Sequence, residues 1–244
     1  MNPKLLKQQF EKSFNTYNDN AIVQKAMAEI LVEEVSKIKK EFENILELGC
    51  GTGLLTSEFS KKIVFKNFYA NDLIKKSETY IKKIVPQCQF YFGNALNIKP
   101  AHKMDLIISN AVFQWFENLE KAGKICSSML NKGGFLAFTS FTPDNFKEIR
   151  DLTGLTLDYK TLDEVKDVFS KDFEILYAKE YSQTLKFSTP LELLAHMKNT
   201  GVNSLSAKNW TIKDIKNFCD KYKEKYPDIR LTYAGIIVIC KKTG

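Results

Sequence analysis

An α/β fold built on a mostly parallel sheet is predicted for this 244-residue chain by three features of its sequence. Short apolar runs alternate with segments of helical periodicity from about residue 41 to residue 141. The first of those runs closes on glycines, in the manner of a strand that turns sharply into a helix. No run of 18 or more apolar residues occurs, so a membrane span is not expected.

Residues 4–40 read as helices, with Phe10, Phe14 and Tyr17 leading into Ile22, Met27, Ile30, Leu31 and Val35 at helical spacing. Ile45 to Leu48 is the first strand and Leu54 to Lys62 its helix. Phe68 to Asn71 is the second strand, followed by a helix from about Lys76 to Ile84. Gln89 to Phe92 and Asp105 to Ser109 are the third and fourth strands. A helix from Leu119 to Leu130 is expected to stop at Asn131-Lys132-Gly133-Gly134, a helix-ending turn. Phe135 to Phe141 is the fifth strand. Residues 144–170 look helical, Phe173 to Phe187 reads as a long strand, and Leu231 to Lys241 as the last. Helices at 190–199 and 211–225 lie between those two strands. The chain is thus expected to be one domain over 1–244: a helical cap (1–40), a core (41–187), a helical lid (188–229) and a final strand (230–244).

Composition excludes several function classes. Hydrophobic residues at 44% and charged residues at 27% are ordinary for a globular protein, so disorder is not expected. The five cysteines, Cys50, Cys88, Cys126, Cys219 and Cys240, are scattered and form no Cys-x-x-Cys pair. That spacing fits free thiols better than a disulfide framework or a zinc site, so no metal is expected. The N-terminus lacks the apolar stretch of a signal peptide, which makes a cytoplasmic location the default. The net charge of +7 is almost all lysine, Arg150 and Arg230 being the only arginines. No basic-aromatic track marks a nucleic-acid partner, although a basic surface can steer an acidic one.

Glu47-Leu48-Gly49-Cys50-Gly51-Thr52-Gly53 carries the most information. Gly49 and Gly51 let the chain turn tightly and a ligand lie on bare backbone, and Gly53 opens the helix. Asp72, 19 residues beyond Gly53, falls at the end of the second strand, where an acid accepts hydrogen bonds from ribose hydroxyls. A dinucleotide fingerprint needs a glycine at the position held by Leu54. Glu47 also sits badly beside a pyrophosphate and well beside a cation. A nucleoside with a cationic tail and no phosphate answers both points, and S-adenosylmethionine (SAM) is such a molecule.

The segment resembles the first motif of the class I SAM-dependent methyltransferases. Gly93-Asn94-Ala95 matches their motif after strand three, with Asn94 in place of the usual Asp, and Ser109-Asn110-Ala111 their motif after strand four. The resemblance implies a Rossmann-like, seven-stranded, mostly parallel sheet. It implies SAM as cofactor, with S-adenosylhomocysteine as product. The cofactor would be held by Gln24, Glu47, Gly49, Cys50, Gly51, Gly53, Asp72, Leu73, Asn94, Ala95, Ser109 and Asn110.

Further segments resemble the malonyl-acyl carrier protein O-methyltransferase family of biotin synthesis. These are Phe14 to Tyr17 with Gln24, Asn110 to Trp115, Thr139 to Arg150, Thr200 to Asn203, and Leu231 to Tyr233. The pair Gln114-Trp115 is also similar to trans-aconitate methyltransferases. The resemblance implies methylation of the free carboxylate of malonyl-acyl carrier protein, or of malonyl-CoA, by a monomer with no membrane partner. Tyr17, Gln114 and Arg150 are the candidates for the reacting centre, and Trp115, Phe141 and Asn203 for the acceptor site. His102 and His196 are the only histidines, which suits an acceptor already ionised at neutral pH. Another small-acid methyltransferase and a non-catalytic SAM-binding scaffold are the alternatives.

Overall fold

The computed structural model of the chain describes residues 3–201 and 210–244. Its strands are β1 (Glu41–Leu48), β2 (Val64–Asp72), β3 (Gln89–Phe92), β4 (Met104–Ser109), β5 (Leu130–Phe141), β6 (Phe173–Lys186) and β7 (Arg230–Lys242). They form one sheet in the order β3-β2-β1-β4-β5-β7-β6. β1 to β5 pair in parallel, and β7 runs antiparallel to both β5 and β6. The order reverses between β1 and β4, and in open α/β sheets ligands bind beyond the strand ends at such a switch point.

Period-two alternation of apolar side chains divides the core between the two sheet faces. Ile45, Leu106, Ile108, Ile237 and Ile239 face one cluster. Leu46, Ile107, Ile236 and Val238 face the other. The first face is covered by α3 (Ile22–Ile38), α4 (Leu54–Phe59) and α5 (Ser77–Ile84). The second is covered by α6 (Leu119–Met129) and by α8 (Leu162–Phe169), whose Thr161 and Glu164 form a capping box. A third cluster joins α7 (Lys147–Thr153), α9 (Pro190–Asn199) and α10 (Ile212–Lys225) to β7. Two further helices, α1 (Pro3–Ser13) and α2 (Tyr17–Asn20), precede α3.

Two expectations change. The 131–134 segment is no turn, because β5 runs through it. Gly133 takes φ +73°, and a Cβ on Gly134 would come within 3.0 Å of the Asn131 carbonyl and 3.1 Å of the Met104 carbonyl. The β4–β5 register shifts between Met104 and Leu106, so the glycines serve an irregularity inside a strand. The helical reading of 144–170 narrows to two helices, α7 and α8, since Gly154 ends α7 in the left-handed conformation. Among the described residues no helix is long and apolar enough to cross a membrane, and no group of three His, Cys, Asp or Glu side chains is placed to hold a metal.

Glu148 ties α7 to the sheet. Fully buried, its carboxylate accepts hydrogen bonds from the Thr232 N–H (3.0 Å) and hydroxyl (2.6 Å), and the Arg230 guanidinium lies 3.6 Å away. Glu148→Ala would strand both Thr232 donors in the interior. The expected loss is about 3 kcal/mol of stability, read as a lower midpoint in denaturant unfolding.

Candidate functional site

A cavity of roughly 440 Å³ opens at the switch point, a volume suited to a small organic molecule. Its floor is the turn from β1 to α4. Gly49, Gly51 and Gly53 take φ of +67°, +51° and +82°, which side-chain-bearing residues rarely adopt. A Cβ on Gly49 would collide with Val112. A Cβ on Gly51 would meet no protein atom within 4 Å, although Gly51 lines the cavity. The bare backbone at Gly51 therefore faces space left for a ligand. The Cys50 N–H donates to the Asn71 carbonyl (3.0 Å) and the Gly51 N–H to Asp72 Oδ2 (2.7 Å).

Glu47, at the end of β1, lines the cavity yet is only 1% exposed. Its carboxyl accepts one bond from the Thr56 hydroxyl (2.5 Å), and among the described residues it has no Lys or Arg ion pair. Burial pushes its pKa up to about 8; the Thr56 bond opposes that and the nearby Asp72 adds to it. Asp72 is also raised by burial, against the Ile74 and Gly51 N–H groups that stabilise its charge. Two buried carboxyls without a protein cation are an unfavourable arrangement that a cationic ligand relieves. The donor set thus fits a nucleoside whose tail is positively charged.

The walls come from three directions. Leu73, Asn94 and Ala95 lie at the ends of β2 and β3. Asn94 Oδ1 caps the short 3-10 turn Ala95–Asn97 through the Leu96 N–H (2.9 Å). After β4, Asn110 Oδ1 accepts from the Thr139 hydroxyl (2.6 Å), whose oxygen accepts the Ala111 N–H (2.8 Å). Asn110 Nδ2 donates to the Gln24 carbonyl (3.0 Å). This network holds Ala111 at φ +55°, backbone strain of the kind that clusters at functional sites. The roof is α1 and α2: Phe10 packs edge-on against Trp115 at 5.8 Å, and Phe14 against Tyr80 at 4.9 Å. Asn18 accepts the Thr52 hydroxyl, so the roof is bonded to the glycine turn. Tyr17 lines the cavity, and burial with the nearby Asp72 raises its pKa, keeping the phenol a neutral donor.

Of the residues singled out from sequence, Tyr17, Glu47, Gly49, Cys50, Gly51, Asp72, Leu73, Asn94, Ala95, Asn110 and Trp115 line this cavity. Others stand behind it. Gly53 shapes the entry of α4, Ser109 is buried with its hydroxyl on the Leu48 carbonyl, and Gln24 supports Asn110. Gln114 Nε2 donates to the Ala111 carbonyl (2.6 Å), and the buried Oε1 atoms of Gln24 and Gln114 have no hydrogen-bond partner among the described residues. Phe141 is buried beneath the lid, 6.1 Å from the Tyr233 ring. Arg150 does not line this cavity: its guanidinium donates to the Pro143 carbonyl and lies 3.8 Å from Asp144. Asn203 falls outside the described residues. Sequence reasoning missed Lys7, Thr52, Val112, Asn118 and Lys121 as lining residues. The one available signal was helical spacing, which puts Lys7, Phe10, Phe14 and Tyr17 near one face of the cap.

A methyltransferase-domain model matches residues 46–138. A malonyl-acyl carrier protein O-methyltransferase of Calditerrivibrio nitroreducens is 37% identical over 89% of this chain and 87% of its own. Another, of Bacteroides thetaiotaomicron, is 33% identical over 99% of both chains. Among solved structures, the N-methyltransferase NodS of Bradyrhizobium japonicum, in complex with S-adenosylhomocysteine, superposes with a TM-score of 0.62. It is 13% identical over 98% of this chain and 99% of its own. A putative methyltransferase of Bacillus halodurans gives 0.63 at 14% identity, over 87% and 97%. At those identities the two structures attest the fold alone.

Two measurements probe the site. Gly49→Ala sets a methyl group against Val112 at a positive φ, and SAM affinity by calorimetry is expected to fall at least about tenfold. Below about pH 8 the free protein holds Glu47 protonated, and a cationic ligand favours the ionised form. Binding then releases a proton, so SAM affinity rises with pH up to about 8 and levels off. Glu47→Gln should remove that slope. A wild-type affinity independent of pH, with equal heats in buffers of different ionisation enthalpy, would refute the assignment.

Proposed function

This chain belongs to the malonyl-acyl carrier protein O-methyltransferase family, and we propose that its cavity methylates the free carboxylate of a malonyl thioester carried on an acyl carrier protein. SAM is the methyl donor; when bound it supplies an electrophilic methyl group on a cationic sulfur. The ester so formed serves biotin synthesis.

One observation carries the reading. The cavity offers a buried, cation-seeking carboxyl at Glu47 and contains no histidine to act as a base. Of its lining carboxyls, Glu47 and Asp72 sit on the floor and Glu117 is exposed beside Asn118, and Tyr17 is held neutral. Such a site suits an acceptor that is already a nucleophile, and a carboxylate is ionised near neutral pH without help. The chain's contribution is then orientation and dryness. The glycine turn and Asp72 fix the cofactor end, and the Asn110–Thr139 network fixes the backbone beside the reacting position. Phe10, Phe14 and Trp115 keep water away. Loss of opposite charges from donor and acceptor together is favoured in such a water-poor site. The Tyr17 hydroxyl is the neutral donor available to orient the acceptor.

Purified protein with SAM and malonyl-acyl carrier protein is expected to add one methyl group to the acceptor, read by mass spectrometry. Product on trans-aconitate with none on the malonyl carrier protein would overturn the acceptor. Tyr17→Phe should lower kcat about tenfold with SAM affinity retained. Arg150→Ala should leave kcat/KM within about threefold, because its guanidinium is spent on the Pro143 carbonyl, and should instead lower stability by about 1 kcal/mol.

A further inference from the structure

The cavity does not end at its rim. Asn118 and Lys121, on the first turn of α6, line both the cavity and a surface hollow of roughly 550 Å³ that follows the same helix. Asn118, Lys121, Ile125 and Ser128 recur at helical spacing, so they form one stripe along α6. Ile125 and Ser128 in turn line a second hollow, of roughly 490 Å³, between α6 and the segment joining β3 to β4. Leu96 belongs to both this hollow and the cavity. The three spaces therefore share walls in series, and the ten residue-to-residue rises from Asn118 to Ser128 span about 15 Å.

The chemistry of this path is uneven in an informative way. Its floor is apolar, with Leu96, Ile98, Ile125 and Met129. Its lysines are Lys99, Lys103, Lys121 and Lys124, each exposed. The two hollows hold a single carboxylate, Glu120, which lies 3.1 Å from Lys124 and 3.3 Å from Lys171. An apolar floor under a rim of cations suits a flexible, weakly polar arm that ends in a phosphodiester on an acidic protein.

We propose that the groove along α6 and residues 96–103 is the docking surface for the carrier protein, with the arm laid over Ile125 toward the cavity and the carrier's acidic face on Lys99 and Lys124. The assignment rests on the acceptor proposed above. It names the direction of approach, from the α6 side of the cavity mouth, and the residues that meet the partner.

The test is the double variant Lys99→Glu/Lys124→Glu, both side chains lying off the cavity itself. On malonyl-acyl carrier protein its KM is expected to rise at least about tenfold, while SAM affinity and turnover of malonyl-pantetheine, which lacks phosphate and protein, stay unchanged. Added salt should raise the parent's KM and leave the variant's nearly flat. An unchanged KM, or an equal loss on malonyl-pantetheine, would overturn the docking surface and leave the acceptor intact. A parent that methylates other acids but never the malonyl carrier protein would instead remove the acceptor assignment and this surface with it.

Discussion

A carboxyl group buried with no counter-ion among the described residues is the constraint around which the site is arranged. Glu47 sits at the end of a central strand, 1% exposed, with one hydroxyl as its hydrogen-bond partner. A position so costly to an ionised group is normally apolar or paired. Its placement at the switch point of the sheet, beside a turn whose backbone at Gly51 faces open space, makes sense if the missing partner arrives with the ligand. The ligand must then bring positive charge and tolerate bare peptide against its body. The same requirement explains the glycines: any side chain at Gly49 would strike Val112, on the very segment that carries Asn110 and Trp115.

The cap is the second half of that arrangement. α1 and α2 are joined to the floor by the Thr52–Asn18 bond, and to the lid by the Thr16 hydroxyl on the Asn199 carbonyl and by Asn199 Nδ2 on Asn20. Gly201 lies so near that a Cβ there would approach Phe10 and Ser13 within 2.9 Å. A closed site of this kind strengthens electrostatics inside it, which is where a reaction that annihilates opposite charges gains most. Acid-base machinery is not required of it. The buried histidine, His196, is committed to the Tyr233 hydroxyl at 2.7 Å, and burial lowers its pKa, so it braces the lid on β7.

How far the sequence discloses this depends on the kind of signal. Patterns set by local backbone physics were legible: the strand-glycine-helix turn, Asp72 at the end of β2, and the two helices between the last two strands. Glycine signals were ambiguous, because a glycine that ends a helix and one that permits a strand irregularity look alike. Gly133 and Gly134 proved to be the latter, and Gly154 the helix end that splits 144–170. Side-chain direction was the least legible. Lining residues such as Lys121 and Asn118 depend on which face of α6 meets the cavity mouth, and that is set by tertiary packing.

Arg150 is held by local contacts away from the cavity lining. One of two arginines in a lysine-rich chain, just beyond β5, it invites assignment as the grip on an acid. In the structure both arginines hold corners of the fold. Arg150 closes the turn at Pro143, and Arg230 stacks over Tyr226 beside the buried Glu148. Both tasks exploit what lysine lacks, a planar fork of donors that can serve a carbonyl and a neighbouring carboxylate together or lie flat on a ring. The positive charge left for recognition is therefore lysine, exposed at Lys99, Lys103, Lys121 and Lys124. Lysine suits a diffuse anionic partner met at the surface better than a single carboxylate held in a fixed pose. On the proposed acceptor, orientation within the cavity then falls to neutral groups such as the Tyr17 hydroxyl, whose hydrogen bond positions an anion without stabilising its charge so far that it ceases to react.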